Sequence, residues 1–219
     1  MGRVRTLQVQ IPLDGTHHAG DLVIPEAARG IVVFAHGSGS SRLSPRNRYV
    51  ADTLHRAGLA TLLFDLLTEA EDRDYLNRFN IDLLAERLLG ATRWLAQEPH
   101  CRDLDVGYFG ASTGAAAALV AAAVGEHGIK AIVSRGGRPD LAATYLPRVR
   151  APTMLIVGGY DEEVLALNRQ AYALLGTTKA LEVVPGATHL FEEPGTLEQA
   201  ADLAASWFAR YLTGEPRAP

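Results

Sequence analysis

The sequence predicts an α/β protein: a single domain over residues 1–219, with a mostly parallel sheet of eight strands and helices on both faces. Three observations point there. Short apolar runs alternate with longer amphipathic ones along nearly the whole chain. Several of the short runs, such as "GIVVFAH" and "TMLIVGG", are continuously apolar, as suits strands buried on both faces. Glycine or proline stands at many of the junctions between runs.

In order, "RTLQVQIPL" and "AGDLVIP" flank Asp14-Gly15, whose turn chemistry makes them an antiparallel hairpin. "GIVVFAH" is a strand, and "RNRYVADTLHRAG" a helix with Tyr49, Val50, Leu54 and Ala57 on one side and Gly58 as its stop. "LATLLFD" is a strand, Thr68 to Asn80 an irregular stretch, and "NIDLLAERLLGATRWLAQEP" a helix. "LDVGYFG" is a strand that runs through a small-residue turn into the alanine-rich helix "TGAAAALVAAA". "IKAIVSRGG" and "APTMLIVGG" are strands ending in glycine pairs, and "DEEVLALNRQAYALLG" is a helix. "KALEVVPG" is the last strand and "TLEQAADLAASWFARYLTG" the closing helix. Only "RPDLAATYLPRVRAP" separates "AIVSRGG" from "TMLIVGG", so any cap over the sheet is a short helix or loop.

Composition narrows the function. The 219 residues are 47% hydrophobic and 21% charged, enough to bury a sizeable core. A net charge of −4 argues against a nucleic-acid surface, which is usually basic. The N-terminal residues lack the apolar core of a signal peptide, and Met1-Gly2 with Thr6 fits an acylation pattern only loosely. The apolar stretch from Ala115 to Val124 is too short to span a bilayer, so no membrane partner and a cytoplasmic location are expected. Cys101 is the single cysteine, which rules out an internal disulfide and a cysteine-based zinc site.

Chemistry concentrates at Gly110-Ala111-Ser112-Thr113-Gly114, a Gly-x-Ser-x-Gly pattern on a strand-to-helix turn. Such a turn holds a serine hydroxyl above the carboxyl end of the sheet, with the Thr113 amide and the helix N-terminus facing any anion that forms there. Serine is also a common N-cap, so a base must be found. Of seven histidines, His189 lies in the loop after the last strand, at the sheet edge where Ser112 emerges. His17 and His18 lie near the hairpin turn, His55 on a helix, and His100 and His127 before later strands at the opposite edge. Asp161, just past "TMLIVGGY", is the carboxylate expected to orient His189, although aspartate too is a good N-cap. Glu162 and Glu163 sit deeper in the helix, and Asp140 is another acid at the same edge.

A second oxyanion donor is expected from the Ser38 amide in "FAHGSGSSRLSPRN", beside that of Thr113. Read instead as a phosphate cradle, that loop lacks the lysine and spacing of a P-loop. Arg135, Arg138 and Arg42, with Arg46 nearby, are candidates to attract an anionic substrate, with solvation or local pairing as the alternative, and Tyr160 and Phe191 are candidates to line the acyl pocket, with core packing as theirs. These parts make a serine hydrolase that needs no metal or organic cofactor. An acyltransferase using the same residues, or a noncatalytic binding module on the same scaffold, are the alternatives.

The blocks "VVFAHGSGSSRLSPRNRYVA", "GYFGASTGAAAAL", "SRGGRPDLA", "PTMLIVGGYDEEV" and "VPGATHLFEEPG" resemble the α/β-hydrolase superfamily, and within it the small dienelactone-hydrolase-like proteins. The resemblance covers nearly the whole chain and implies Ser112, Asp161 and His189 as a catalytic triad. Authentic dienelactone hydrolases carry cysteine where this chain has Ser112, so a small-molecule ester or lactone is the broader substrate class implied. Similar sequences also occur joined to phosphoribosyltransferase domains, but residues 1–219 read as a hydrolase domain alone.

Overall fold

The computed structural model describes residues 3–125 and 128–212; Met1, Gly2 and His127 lie outside them, as do the residues after Leu212. Eight strands form one sheet: β1 (Val4–Leu13), β2 (Thr16–Pro25), β3 (Gly30–Ala35), β4 (Ala60–Phe64), β5 (Asp105–Ala111), β6 (Ala131–Arg135), β7 (Thr153–Gly158) and β8 (Lys179–Val184). Their spatial order is β1-β2-β4-β3-β5-β6-β7-β8. β2 is antiparallel to both β1 and β4, and all other pairs are parallel. The hairpin turns at Asp14 and Gly15, both at positive φ (45° and 78°), which matches the right-handed twist of the strands it joins.

Among the described residues there are six α-helices: α1 (Pro45–Arg56), α2 (Glu69–Asp72), α3 (Ile81–Leu95), α4 (Thr113–Val124), α5 (Glu162–Leu174) and α6 (Thr196–Tyr211). α1 and α6 pack together on one face, where Val50, Leu54, Trp207 and Phe208 meet Phe34, Phe109 and Val133. α3 and α4 cover the other, where Leu84, Leu88 and the alanines of α4 meet Ile31, Val33 and Tyr108. Among the described residues no helix is long and apolar enough to cross a membrane. Between β6 and β7 there are two short 3-10 turns, Pro139–Ala142 and Leu146–Arg148, and no cap domain.

Some boundaries differ from the sequence reading. β2 starts at Thr16, so His17 and His18 belong to the strand; His18 is buried, with Nδ1 2.7 Å from the Asp65 carbonyl oxygen. The stretch from Thr68 to Asn80 is ordered by a reciprocal cap, the Thr68 hydroxyl accepting from the Glu71 amide and the Glu71 carboxylate from the Thr68 amide. Buried Arg87 then ties Glu71 (2.7 Å) to Asp14 across the fold. The tie is long-range, which is why local periodicity left this stretch without structure.

β5 and α4 meet more tightly than side chains normally allow. A Cβ at Gly114 would collide with the backbone oxygens of Ala35 and His36, and one at Gly110 with the backbone of Ala115. Helix α4 therefore lies directly against the exit of β3, which its small side chains permit. Gly114→Ala is expected to cost about 3 kcal/mol, at the upper end of ordinary overpacking. Urea denaturation measures it, and a loss below about 0.5 kcal/mol would show that the approach is looser than described.

Candidate active site

All chemistry-bearing positions leave the sheet at one edge. Parallel strands β3, β5, β6, β7 and β8 end there, followed by His36, Ser112, Gly136, Gly159 and Pro185. The chain order reverses across β3, between β4 on one side and β5 on the other, which is where open α/β sheets form a crevice. Ser112, Arg135 and His189 line one cavity of about 230 Å³ there, with Gly37, Ser38 and Arg46. Wider hollows of about 680 and 480 Å³ lie by the β1–β2 hairpin and do not touch Ser112. Convergent polar groups rather than volume mark the site.

Ser112 has φ 51° and ψ −122°, a strained conformation for a residue with a Cβ. It is held by the β6 side of the edge: its amide donates to the Arg135 carbonyl (3.3 Å), and its carbonyl accepts from the Arg138 amide (3.1 Å). Although Ser112 stands at the N-cap of α4, its hydroxyl makes no capping bond. Asp161 likewise stands at the N-cap of α5 without capping it. Its Oδ2 lies 2.6 Å from His189 Nδ1. Because a carboxylate only accepts, Nδ1 carries the proton and Nε2 is left as the basic nitrogen. The capping role that sequence left open for both residues is not the one their side chains perform.

The loop carrying His189 has its own fastening. Glu193 accepts from the Thr188 amide (3.0 Å) and hydroxyl (2.6 Å), and these bonds hold its carboxyl below the usual range. Phe191, at φ 54°, is buried in the core and does not line the cavity. The sequence held no local sign of the Glu193 latch beyond a carboxylate four residues past His189.

Around the expected oxyanion site, Thr113 is the first residue of α4, so its amide has no acceptor within the helix. The Ser38 amide is not free: it donates to Thr113 Oγ1 at 3.0 Å. His36, just before that loop, is a residue sequence reasoning passed over. Its Nδ1 donates to the Gly37 carbonyl (3.0 Å), and its Nε2 accepts the Leu66 amide (3.0 Å), joining the loops after β3 and β4. Burial pushes its pKa below the ordinary 6.5. Protonation would destroy the bond from Leu66, so the unfolded chain takes up a proton more readily than the folded one. His36 therefore contributes stability above pH 6.5 that is lost as pH falls through its lowered folded value. Urea midpoints at pH 7.5 and 5.5 are expected to drop more in the parent than in His36→Gln; equal drops would rule this out.

The expected substrate arginines separate into two groups. Arg138 is bound to Asp140 through Nε and Nη2 (2.9 and 2.8 Å), which also removes Asp140 as a free acid. Arg42 is bound to Asp65 through its amide and Nη1 (2.8 and 2.6 Å). Tyr160 is 72% exposed and off the cavity. Arg138 and Arg42 thus take the local pairing that sequence left as their alternative, and Tyr160 stands away from Ser112's cavity. Arg135 remains, buried in the cavity wall, its pKa lowered by that burial to about 10. Cys101 is buried in the α3–α4 core, its thiol pushed up to about 12 by the same effect, far from a nucleophile's range.

Comparison with known proteins agrees with this architecture. Two Mycobacterium tuberculosis proteins provisionally named as phosphoribosyl transferases are 60% identical over 211 residues, 96% of this chain and 48% of theirs. The chain thus spans about half the length of the curated relatives it matches. The crystal structure of a dienelactone hydrolase from Anabaena variabilis superposes with a TM-score of 0.92 at 57% identity, covering 95% of this chain and 98% of that one. The esterase domain of a Rhodothermus marinus protein shares the fold at 18% identity, with a TM-score of 0.75 over 96% and 99% of the two chains. The dienelactone hydrolase family model matches residues 19–212. Strand order, serine elbow and sequence match together make this chain a member of the dienelactone hydrolase family, within the α/β-hydrolase superfamily.

Proposed function

We propose that this member of a hydrolase family is a serine hydrolase that cleaves a carboxylic ester or lactone through an acyl-enzyme. The observation that carries the reading is the Asp161–His189 bond beside an uncapped, strained Ser112 in one cavity. Ser112 Oγ attacks the ester carbonyl while His189 Nε2 accepts its proton, and Asp161 supports the imidazolium that results. The tetrahedral oxyanion takes hydrogen bonds from the amides of Thr113 and Ser38. The Ser38 amide exchanges its neutral acceptor, Thr113 Oγ1, for a charged one, which is the stronger bond. Collapse expels the alcohol, which receives the proton from His189, and water then repeats the sequence to release the acid. The absence of a cap domain leaves the crevice open to small substrates.

Fluorophosphonate treatment followed by peptide mapping tests the reading. A single adduct on Ser112 of the folded protein is the expected result, with p-nitrophenyl acetate hydrolysed in parallel. If the reagent modifies another serine, the assignment to Ser112 is lost; if it modifies none, the reading is lost in favour of a noncatalytic binding module. An excess of methanol in the ester assay separates acyl transfer from hydrolysis by the methyl ester it yields.

A further inference from the structure

Helix α5 turns Val164, Leu165, Asn168 and Ala171 toward the interior, and the amide of Asn168 is the one polar side chain among these four. Asn168 is fully buried. Asparagine is a poor helix former, and the Oδ1 of Asn168 is buried with no hydrogen-bond partner among the described residues. An apolar side chain would avoid that loss, so packing alone does not account for this residue. Its Nδ2 donates twice: to the Val164 carbonyl within the helix (2.8 Å), and to the Gly137 carbonyl in the loop after β6 (3.0 Å). The reverse orientation of the amide would set its oxygen against both carbonyl oxygens, so the two donors belong on that side.

The Gly137 carbonyl and the Arg138 amide belong to one planar peptide unit. That amide donates to the Ser112 carbonyl (3.1 Å), so the unit is held at both ends, by Asn168 at its oxygen and by Ser112 at its nitrogen. Two glycines precede it, Gly136 at φ 52°, so the torsions of the chain itself restrain it little. The same loop lies against the imidazole: a Cβ at Gly136 would stand 3.6 Å from both Nδ1 and Cε1 of His189. Asn168 stands two turns past Asp161, the N-cap of α5. One peptide unit therefore separates the helix that presents the acid from the strained residue that presents the nucleophile. We propose that Asn168 is a positioning residue, which through the Gly137–Arg138 peptide fixes Ser112 relative to His189 and Asp161. This rests on the hydrolase reading above. Asn168 does not line the cavity of Ser112, so its loss alters the attack of the serine and not the binding of the ester.

Kinetics and hydrogen exchange on the same variants test this. Asn168→Ala removes both donors. Thr92→Val is the control for lost stability alone, because it removes a buried hydroxyl bonded to Tyr108 (2.7 Å) on the α3 side of the core. In Asn168→Ala, kcat for p-nitrophenyl acetate and the rate of fluorophosphonate labelling at Ser112 are expected to fall by about 10- to 100-fold, the loss that a small misplacement of a reacting group produces. KM is expected to stay within about twofold, as when an interaction serves the transition state alone. The Arg138 amide, its peptide released at the oxygen, is expected to exchange with deuterium about tenfold faster by NMR. Thr92→Val is expected to leave these quantities within about twofold of the parent. If Asn168→Ala does not fold, Asn168→Leu, which refills the space without a donor, is read in the same way. Rates in a folded Asn168 variant within about twofold of the parent, or a loss that Thr92→Val matches, overturn the proposal. Slower labelling with Arg138 exchange unchanged also overturns it, because the effect then reaches Ser112 by another route. Should the parent cleave no ester and take no label, the hydrolase reading fails separately, and exchange alone decides whether Asn168 fixes Ser112. Faster exchange of the Arg138 amide in the Asn168 variant and not in Thr92→Val then supports that hold, and unchanged exchange removes it.

Discussion

Ser112→Ala is expected to lower kcat/KM for an activated ester by about 10⁴- to 10⁶-fold, the loss seen when serine nucleophiles are removed from comparable sites. The substitution deletes one oxygen that makes no capping bond, so the helix does not need it. Alanine carries the same Cβ at φ 51°, so the strain of the elbow is kept and stability should stay within about 0.5 kcal/mol of the parent. Kinetics and a denaturation curve on the same preparation check both halves. Activity retained within about tenfold would mean that another group attacks the ester.

Asp161→Asn is expected to reduce kcat by about 10⁴-fold with little change in fold. The carboxylate at present accepts from Nδ1, which leaves Nε2 free to take a proton. An amide placed there can turn its NH₂ toward Nδ1, and the proton then sits on Nε2, where the base should be. It also withdraws the charge that stabilises the imidazolium. Because Asp161 does not cap α5, the helix loses nothing by the change. A drop of less than about tenfold would assign the supporting role elsewhere, with Glu162 and Glu163 next in the chain.

Much of the framework was legible because it is written in local patterns. The buried parallel strands are continuous apolar runs, and the hairpin turns where Asp14-Gly15 permits positive φ at two successive residues. The positions of Ser112, Asp161 and His189 could be inferred for a topological reason: parallel strands send their following loops to one edge, whatever the packing between them. The glycines flanking Ser112 were also readable, since a sharp strand-to-helix turn leaves no room for side chains there. Each of these conclusions needs only chain order and the chemistry of neighbouring residues.

The remainder depends on contacts between residues far apart in the chain. Nothing near Arg42 shows that Asp65 will neutralise it, and nothing near Arg135 shows that its Nη1 will be buried without a partner among the described residues. His36 looked like part of a loop motif until the Leu66 amide, thirty residues away, was found at its Nε2. Asp161 and Ser112 both had the sequence of ordinary caps, and only the approach of β7's loop to the loop after β8 gives the aspartate a histidine to hold. Residue type and periodicity establish which elements form and to which edge they deliver their loops. Charge compensation and hydrogen-bond partners are pairwise quantities, and they come into being only when the sheet brings those loops together.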